Sequence, residues 1–120
     1  MKKYLLILPF LLFLFSTLTA ANSKNEFLKK DLKTVEFMVY GNCDMCKMNI
    51  EQAVASVKGV KAVKWDQETK MIKLSYDANK VSLDDIKKEI AKSGYDTNEF
   101  RADTKDYEAL HQCCQYERPE

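Results

Sequence analysis

The order of apolar patterns along residues 34–102 constrains the fold of this chain more than any other sequence feature. Apolar and polar residues alternate in three segments, as they do in half-buried strands: 34–40, 60–65 and 71–76. Apolar residues recur three or four positions apart in two further segments, as on one face of a helix: Cys46 to Val57 and Leu83 to Ile90. Residues 95–101 alternate weakly, and we predict a last strand there.

Cap residues support the boundaries between these elements. Gly59 and Gly94 follow the two helical segments, where a left-handed residue commonly ends a helix. Ser82, followed by Asp85, is typical of a helix start. The resulting order, β-α-β-β-α-β, predicts an α+β, ferredoxin-like sandwich with a four-stranded antiparallel sheet and two helices on one face.

The first 21 residues have the organisation of a secretory signal peptide. Two lysines precede an apolar run over residues 4–15, and small residues follow it. The alternative is a membrane anchor, but the run is shorter than the roughly 20 residues that a spanning helix needs, and Pro9 interrupts it. We therefore expect a periplasmic or secreted protein with no stable membrane span after cleavage.

The rest of the chain divides into three parts: a polar linker over 22–33, a domain over 34–102 and a tail over 103–120. Without residues 1–21 the chain has 17 basic and 18 acidic residues, a balance that gives no case for nucleic acid as a partner. His111 is the only histidine, and no nucleophile–histidine–acid set is present. We therefore expect a binding protein and not an enzyme.

Cys43 and Cys46 form a C-x-x-C pair where the first strand gives way to the first helix. This spacing lets two sulfur atoms converge on one ion, and a helix N-terminus stabilises the thiolate forms that bind it. Lys47 would add a positive charge beside them. Thiolates select soft ions, so the pair predicts copper(I) first, with zinc and mercury(II) as alternatives.

Four short motifs accompany this pair: Gly41-Asn42-Cys43-Asp44-Met45-Cys46, Ile50-Glu51, Gly59-Val60 and Ser93-Gly94-Tyr95. On these motifs, residues 34–102 resemble the heavy-metal-associated domain of copper chaperones, of a periplasmic mercury-binding protein and of metal-pumping ATPases. The resemblance implies that Cys43 and Cys46 bind the metal and that Tyr95 lies beside them. It also implies a small carrier or scavenger that passes its ion to a metal-transporting ATPase or efflux pump, or buffers it.

The cysteine loop departs from the family's Gly-Met-x-Cys-x-x-Cys pattern, because Asn42 follows Gly41 and the methionine is missing. Either Tyr40 replaces that methionine or the loop is one residue shorter. Asp44 and Met45 stand where the family has two small residues. Their side chains would suit zinc and copper(I) respectively; the simpler interpretation is that Asp44 favours the helix start and Met45 covers the site.

A disulfide is the alternative for Cys43 and Cys46, because the expected compartment is oxidising. A thiol–disulfide oxidoreductase would use the same two residues. However, the motif lacks the aromatic residue and proline typical of thioredoxin-like sites, and the predicted strand order differs from theirs. Metal binding is therefore our main hypothesis, and the oxidoreductase is the alternative.

His111, Cys113 and Cys114 place three further metal-ligating side chains in the tail. One hypothesis is that they add ligands to a soft-metal site. The others are a vicinal disulfide, a disulfide with the Cys43/Cys46 pair, and packing of Cys114 as an apolar residue. Asp103 or Thr104 is predicted to start a short helix in this tail.

Overall fold

The computed structural model describes residues 31–120. Its elements are β1 (Leu32–Met38), α1 (Asp44–Ala55), β2 (Val60–Trp65), β3 (Met71–Asp77), α2 (Leu83–Lys92), α3 (Thr104–Glu108) and a 3-10 turn (Gln112–Cys114). The α+β class and the order β-α-β-β-α are confirmed. The predicted signal peptide and most of the predicted linker lie outside the described residues. Within residues 31–120, no helix is long and apolar enough to cross a membrane.

The three strands form an antiparallel sheet in the order β1-β3-β2. The central strand, β3, therefore pairs with a neighbour on each side, and Leu74 lies opposite Val35 on one side and Val63 on the other. Successive side chains of a strand point to opposite faces. Ile72 and Leu74 thus share one face, and both are buried.

Helices α1 and α2 pack their apolar side chains into one core with this face of the sheet. Fully buried members of that core include Ile50 and Val54 from α1, Ile86 and Ile90 from α2, and Ile72 from β3. Burying a side chain of this size stabilises the fold by about 1.5–3 kcal/mol relative to leaving it in water. The core therefore fixes the start of α1, and with it the cysteine loop, against the sheet.

The predicted fourth strand is wrong. In the part of the chain that the structure describes, residues 95–101 contribute only an isolated antiparallel bridge between Val39 and Thr97. The Thr97 hydroxyl accepts hydrogen bonds from the Glu99 and Phe100 N–H groups, and the Thr97 N–H donates to the Phe100 carbonyl at 2.8 Å. This tight turn uses the backbone groups that a longer strand would have offered to β1.

The predicted helix boundaries are confirmed at both ends of α2. The Ser82 hydroxyl accepts a hydrogen bond from the Asp85 N–H at 3.1 Å, as expected of a helix cap. Gly94 follows the helix with φ of 99°, a conformation that residues with a Cβ rarely adopt. Asp103 precedes α3, so the predicted short helix in the tail is also confirmed.

The tail, residues 103–120, docks against the segment that follows α2. Buried Tyr116 donates its hydroxyl to the Gly94 carbonyl at 2.9 Å and accepts from the Asp96 N–H at 2.8 Å. The Arg118 guanidinium binds both carboxylate oxygens of buried Asp96 at 2.8 Å. Tyr116 and Cys114 are part of the hydrophobic core, so the tail packs as an integral part of the domain.

Candidate metal centre

Cys43 and Cys46 lie at the start of α1 with their sulfur atoms 3.3 Å apart. Cys43 has an extended backbone immediately before the helix, and the residue is half-buried. Cys46 lies within the first turn and is completely buried. The strand-to-helix junction therefore brings the two thiols together, with one side of the pair open and the other enclosed.

Asn42 holds the buried member of the pair. Its side-chain oxygen accepts a hydrogen bond from the Cys46 thiol at 3.3 Å, and its N–H donates to the same sulfur at 3.5 Å. Gly41, before it, passes close to Trp65, and a Cβ at Gly41 would lie 3.1 Å from the indole ring. The unusual Gly-Asn sequence thus lets the loop run along Trp65 while it binds the Cys46 sulfur.

The two tail cysteines lie against the same pair. The sulfur of Cys114, which is completely buried, is 3.5 Å from that of Cys43. The sulfur of Cys113, which is exposed, is 4.0 Å from Cys43 and 3.9 Å from Cys114. All four cysteines are free thiols. Cys43 therefore contacts each of the other three sulfurs and lies at the centre of the group.

The environment shifts the pKa values of Cys43 and Cys114 in opposite directions. Burial alone would raise the pKa of the Cys43 thiol, but polar contacts with the Cys46 N–H and with the other thiols lower it below its usual value. Burial raises the pKa of the Cys114 thiol, and hydrogen bonding to Cys43 and Cys46 raises it further. Cys43 therefore ionises before Cys114.

A family model, the heavy-metal-associated domain, matches residues 36–96 of this chain, which include Cys43 and Cys46. The chain belongs to the heavy-metal-associated domain family. The copper chaperone CopZ of Staphylococcus haemolyticus (strain JCSC1435) is 34% identical to it over 55 residues, which cover 46% of this chain and 81% of that protein.

Two solved structures have a similar fold over about half of this chain. Oxidized MerP from Ralstonia metallidurans CH34 is 29% identical, with a TM-score of 0.54, and the match covers 56% of this chain and 94% of that one. A copper-binding domain from HMA7, a P-type ATPase, is 27% identical, with a TM-score of 0.53, and the match covers 54% and 89% of the two chains. The family fold thus accounts for about half of this chain.

Two residues predicted to lie beside the cysteines make different contacts. Tyr95 is completely buried, and its hydroxyl accepts a hydrogen bond from Asn49 at 3.0 Å. Burial raises the pKa of Tyr95, and the Cys46 and Cys114 thiols raise it further. Lys47 instead donates to Glu51 and, at 2.7 Å, to the Trp65 carbonyl. Its ammonium therefore joins α1 to the end of β2.

The remaining predicted residues have distinct positions. Asp44 is exposed in the first turn of α1. The Met45 sulfur lies 3.9 Å from the Cys113 sulfur, at the open side of the group. His111 is exposed, and its carbonyl accepts from the Cys114 N–H at 2.7 Å. Among the described residues, the compact three-residue ligand group is Cys43, Cys113 and Cys114, without His111.

Sequence reasoning missed the residues that hold the tail in place, namely Asp96, Tyr116 and Arg118. Their side chains are each buried or nearly so, yet they occur in segments whose apolar periodicity is weak. The available signal was the occurrence of a tyrosine and an arginine shortly after the Cys113-Cys114 pair. Their role depends on a partner far away in sequence, which no local pattern specifies.

Proposed function

We propose that this protein is an exported carrier or scavenger of copper(I), which binds the ion through Cys43 and Cys46. It passes the ion to a metal-transporting ATPase or efflux pump, or buffers it. The observation that carries the proposal is the convergence of the two sulfurs, 3.3 Å apart, at the start of α1 in a heavy-metal-associated domain. We propose copper(I) as the bound ion, in preference to zinc and mercury(II), because thiolates select soft ions and the similar CopZ is a copper chaperone.

The unequal burial of the two cysteines supports a carrier role. Cys46 is enclosed and bound by Asn42, whereas Cys43 is partly open to solvent. A partner's thiolate can therefore approach a bound ion from the side of Cys43. Ligand exchange of this kind moves the ion between proteins with no change in its oxidation state.

Exposed apolar side chains on the first turns of α1 support docking of a protein partner. Met45 and Met48, on the first turns of α1, are 41% and 70% exposed. Adaptable methionine side chains suit a surface that meets another protein transiently. The similar copper-binding domain of a P-type ATPase makes such a domain our proposed partner.

Anaerobic titration of copper(I) in competition with a chromophoric copper(I) chelator tests metal binding. We expect tight binding by the wild type and its loss in the Cys43→Ser/Cys46→Ser variant, because serine is a poor ligand for a soft ion. A Thr34→Ala/Ser75→Ala variant is the matched control, since within residues 31–120 these two hydroxyls bond only each other, across β1 and β3 on an exposed surface. Unchanged binding in the cysteine variant would refute the proposal.

Export requires its own experiment. We expect the protein isolated from an expressing bacterium to lack residues 1–21 and to fractionate with the periplasm or the medium. Intact mass measurement of each cell fraction reports both. Full-length protein confined to the cytoplasmic fraction would contradict export and leave copper binding unaffected.

A second candidate, a thiol–disulfide oxidoreductase, is favoured by the lowered pKa of Cys43 and its contacts with three thiols. The Cys43 thiolate would attack a substrate disulfide, release one substrate thiol and form a mixed disulfide that a second protein thiol resolves. Turnover of a disulfide substrate with dithiothreitol as the reductant distinguishes this candidate. A binding protein should show no turnover above that of the Cys43→Ser variant.

A further inference from the structure

Cys43, Cys113 and Cys114 form a triangle of sulfur atoms on the open side of the cluster of four cysteine thiols. Its edges are 3.5 Å between Cys43 and Cys114, 3.9 Å between Cys113 and Cys114, and 4.0 Å between Cys43 and Cys113. A point equidistant from the three sulfurs lies about 2.2 Å from each, close to the roughly 2.3 Å of a zinc–thiolate bond. The triangle therefore fits one metal ion in its plane without movement of the backbone.

The Cys43/Cys46 pair has a different geometry. Two thiolates on opposite sides of an ion would lie about 4.6 Å apart, twice a metal–sulfur bond of about 2.3 Å. The observed distance of 3.3 Å is shorter. In the arrangement described, the triangle matches three-coordinate binding more closely than the pair matches linear two-coordinate binding.

The position of the triangle is built into the fold. Cys114 is completely buried, and its N–H donates to the His111 carbonyl at 2.7 Å in the 3-10 turn. Its carbonyl accepts from the Tyr116 N–H at 2.9 Å, and Tyr116 is itself hydrogen-bonded to the segment after α2. The tail thiols are therefore presented to Cys43 by a docked segment.

We infer that Cys43, Cys113 and Cys114 form a second soft-metal site of three sulfurs, which shares Cys43 with the Cys43/Cys46 pair. The inference rests on the proposed function, because it assigns copper(I) to a site next to the one proposed there. Thiolate donors without oxygen or nitrogen ligands select soft ions. The exposed Met45 sulfur, 3.9 Å from that of Cys113, adds a soft donor at the entrance.

Sharing Cys43 lets one copper(I) ion pass between the two sites while it stays bound to the protein. Bonds from copper to the Cys113 and Cys114 sulfurs form, and the bond to Cys46 breaks, while the bond to Cys43 is kept. The Cys113 and Cys114 thiols each release a proton to water, and the Cys46 thiolate takes one up. Copper remains in the +1 state, so no oxidant or reductant is needed.

Three variants of the full chain separate the two sites, with copper(I) alone as the probe. Cys46→Ser leaves the triangle, Cys113→Ser/Cys114→Ser leaves the pair, and Cys43→Ser removes a ligand from both. Each is loaded anaerobically with one equivalent of copper(I), and X-ray absorption spectroscopy gives the number of sulfur ligands. Competition with a copper(I) chelator gives the affinity.

We expect three sulfur ligands in Cys46→Ser and two in Cys113→Ser/Cys114→Ser. Cys43→Ser should bind copper(I) at least about 100-fold more weakly than Cys46→Ser, since loss of a shared ligand should exceed the 10–100-fold effect of losing an outer-shell partner. Two or fewer sulfur ligands in Cys46→Ser, or equal affinities in Cys46→Ser and Cys43→Ser, would overturn the three-sulfur site. Failure of the wild type to bind copper(I) would instead overturn the proposed function.

Because Cys114 is buried, the tail variant needs a control for folding. Cys113→Ser alone changes an exposed residue and removes one corner of the triangle. In combination with Cys46→Ser it should reduce the sulfur ligands from three to two, with the near-ultraviolet circular dichroism of the wild type. Three sulfur ligands in that double variant would overturn the assignment of Cys113.

Discussion

The sulfur atoms of Cys43 and Cys114 lie 3.5 Å apart, although 71 positions separate the two residues in the chain. The contact exists because the tail docks on the segment after α2 through Tyr116 and Arg118. A change in that docking should therefore alter the arrangement of the four cysteine thiols, even when no cysteine is substituted.

The Tyr116 hydroxyl provides a small change of this kind. Tyr116→Phe removes the bonds to the Gly94 carbonyl and from the Asp96 N–H, both of which are buried. We expect the free energy of unfolding to fall by about 1–3 kcal/mol, because two backbone groups lose their partner. Urea unfolding measures this loss.

The matched control for Tyr116→Phe is Tyr107→Phe. Among residues 31–120, the Tyr107 hydroxyl makes one hydrogen bond, to the Tyr116 carbonyl. We expect a smaller loss of stability than in Tyr116→Phe. Equal stability of Tyr116→Phe and the wild type would contradict the assigned role of the Tyr116 hydroxyl.

The ion pair of Asp96 and Arg118 predicts a loss of stability in acid. Burial alone would raise the pKa of the Asp96 carboxyl, but Arg118, the Ala102 N–H and Tyr116 lower it below its usual value. An aspartate in the unfolded chain titrates at about pH 3.9. Above that pH, the Asp96–Arg118 ion pair therefore makes nearly its full contribution to the free energy of unfolding. It is lost as the pH falls through the lower pKa of the folded state.

Urea unfolding from neutral pH to about pH 2 checks this dependence in the wild type and in Asp96→Asn. At neutral pH, Asp96→Asn should be less stable by on the order of 3 kcal/mol, because it leaves the Arg118 guanidinium without its charged partner. It should also lose less stability on acidification. Glu68→Gln, at an exposed carboxyl, should keep the wild-type pH dependence. Identical pH profiles for Asp96→Asn and the wild type would argue against the assignment.

Gly94 connects helix α2 to the docked tail. Its φ is 99°, and a Cβ there would lie 2.8 Å from the Asp106 carbonyl oxygen of α3. We expect Gly94→Ala to destabilise the fold by about 1–3 kcal/mol through backbone strain. It should also displace the tail, so copper(I) bound at one equivalent should lose sulfur ligands from Cys113 and Cys114.

Gly59→Ala is the matched control, because Gly59 has φ of 104° but lies against Lys80 and Val81 instead of the tail. It should cost a similar free energy of unfolding and leave the copper coordination of the wild type. The same change in coordination in both variants would show that general destabilisation, and not tail docking, is responsible.

The contacts of Lys47 predict a structural role for a residue that the sequence places beside the metal ligands. Its ammonium binds Glu51 and the Trp65 carbonyl, and Glu51 also accepts from the Trp65 N–H at 3.1 Å. Lys47→Met should lower the free energy of unfolding by about 0.5–1 kcal/mol, as for a partly exposed ion pair. Copper(I) affinity should change by less than about tenfold. A larger loss of affinity at unchanged stability would restore Lys47 to the metal site.

Much of the fold could be predicted because its signals are local. The alternation around Leu74 and the spacing of Ile86 and Ile90 each reflect burial of one face of one element. The fourth strand could not be predicted in this way. Whether residues 95–101 form a strand depends on whether Thr97 bonds within its own turn or pairs along β1. The same short sequence permits both arrangements.

The sequence by itself determined that Cys43 and Cys46 stand at a strand-to-helix junction, because their spacing and the periodicity around them are properties of neighbouring residues. Only the tertiary structure decided that Cys113 and Cys114 join them and that His111 stays outside. The physical reason is that long-range docking depends on the sum of distant contacts, here those of Tyr116 and Arg118 with the segment after α2. A local pattern carries no information about which distant surface will meet it.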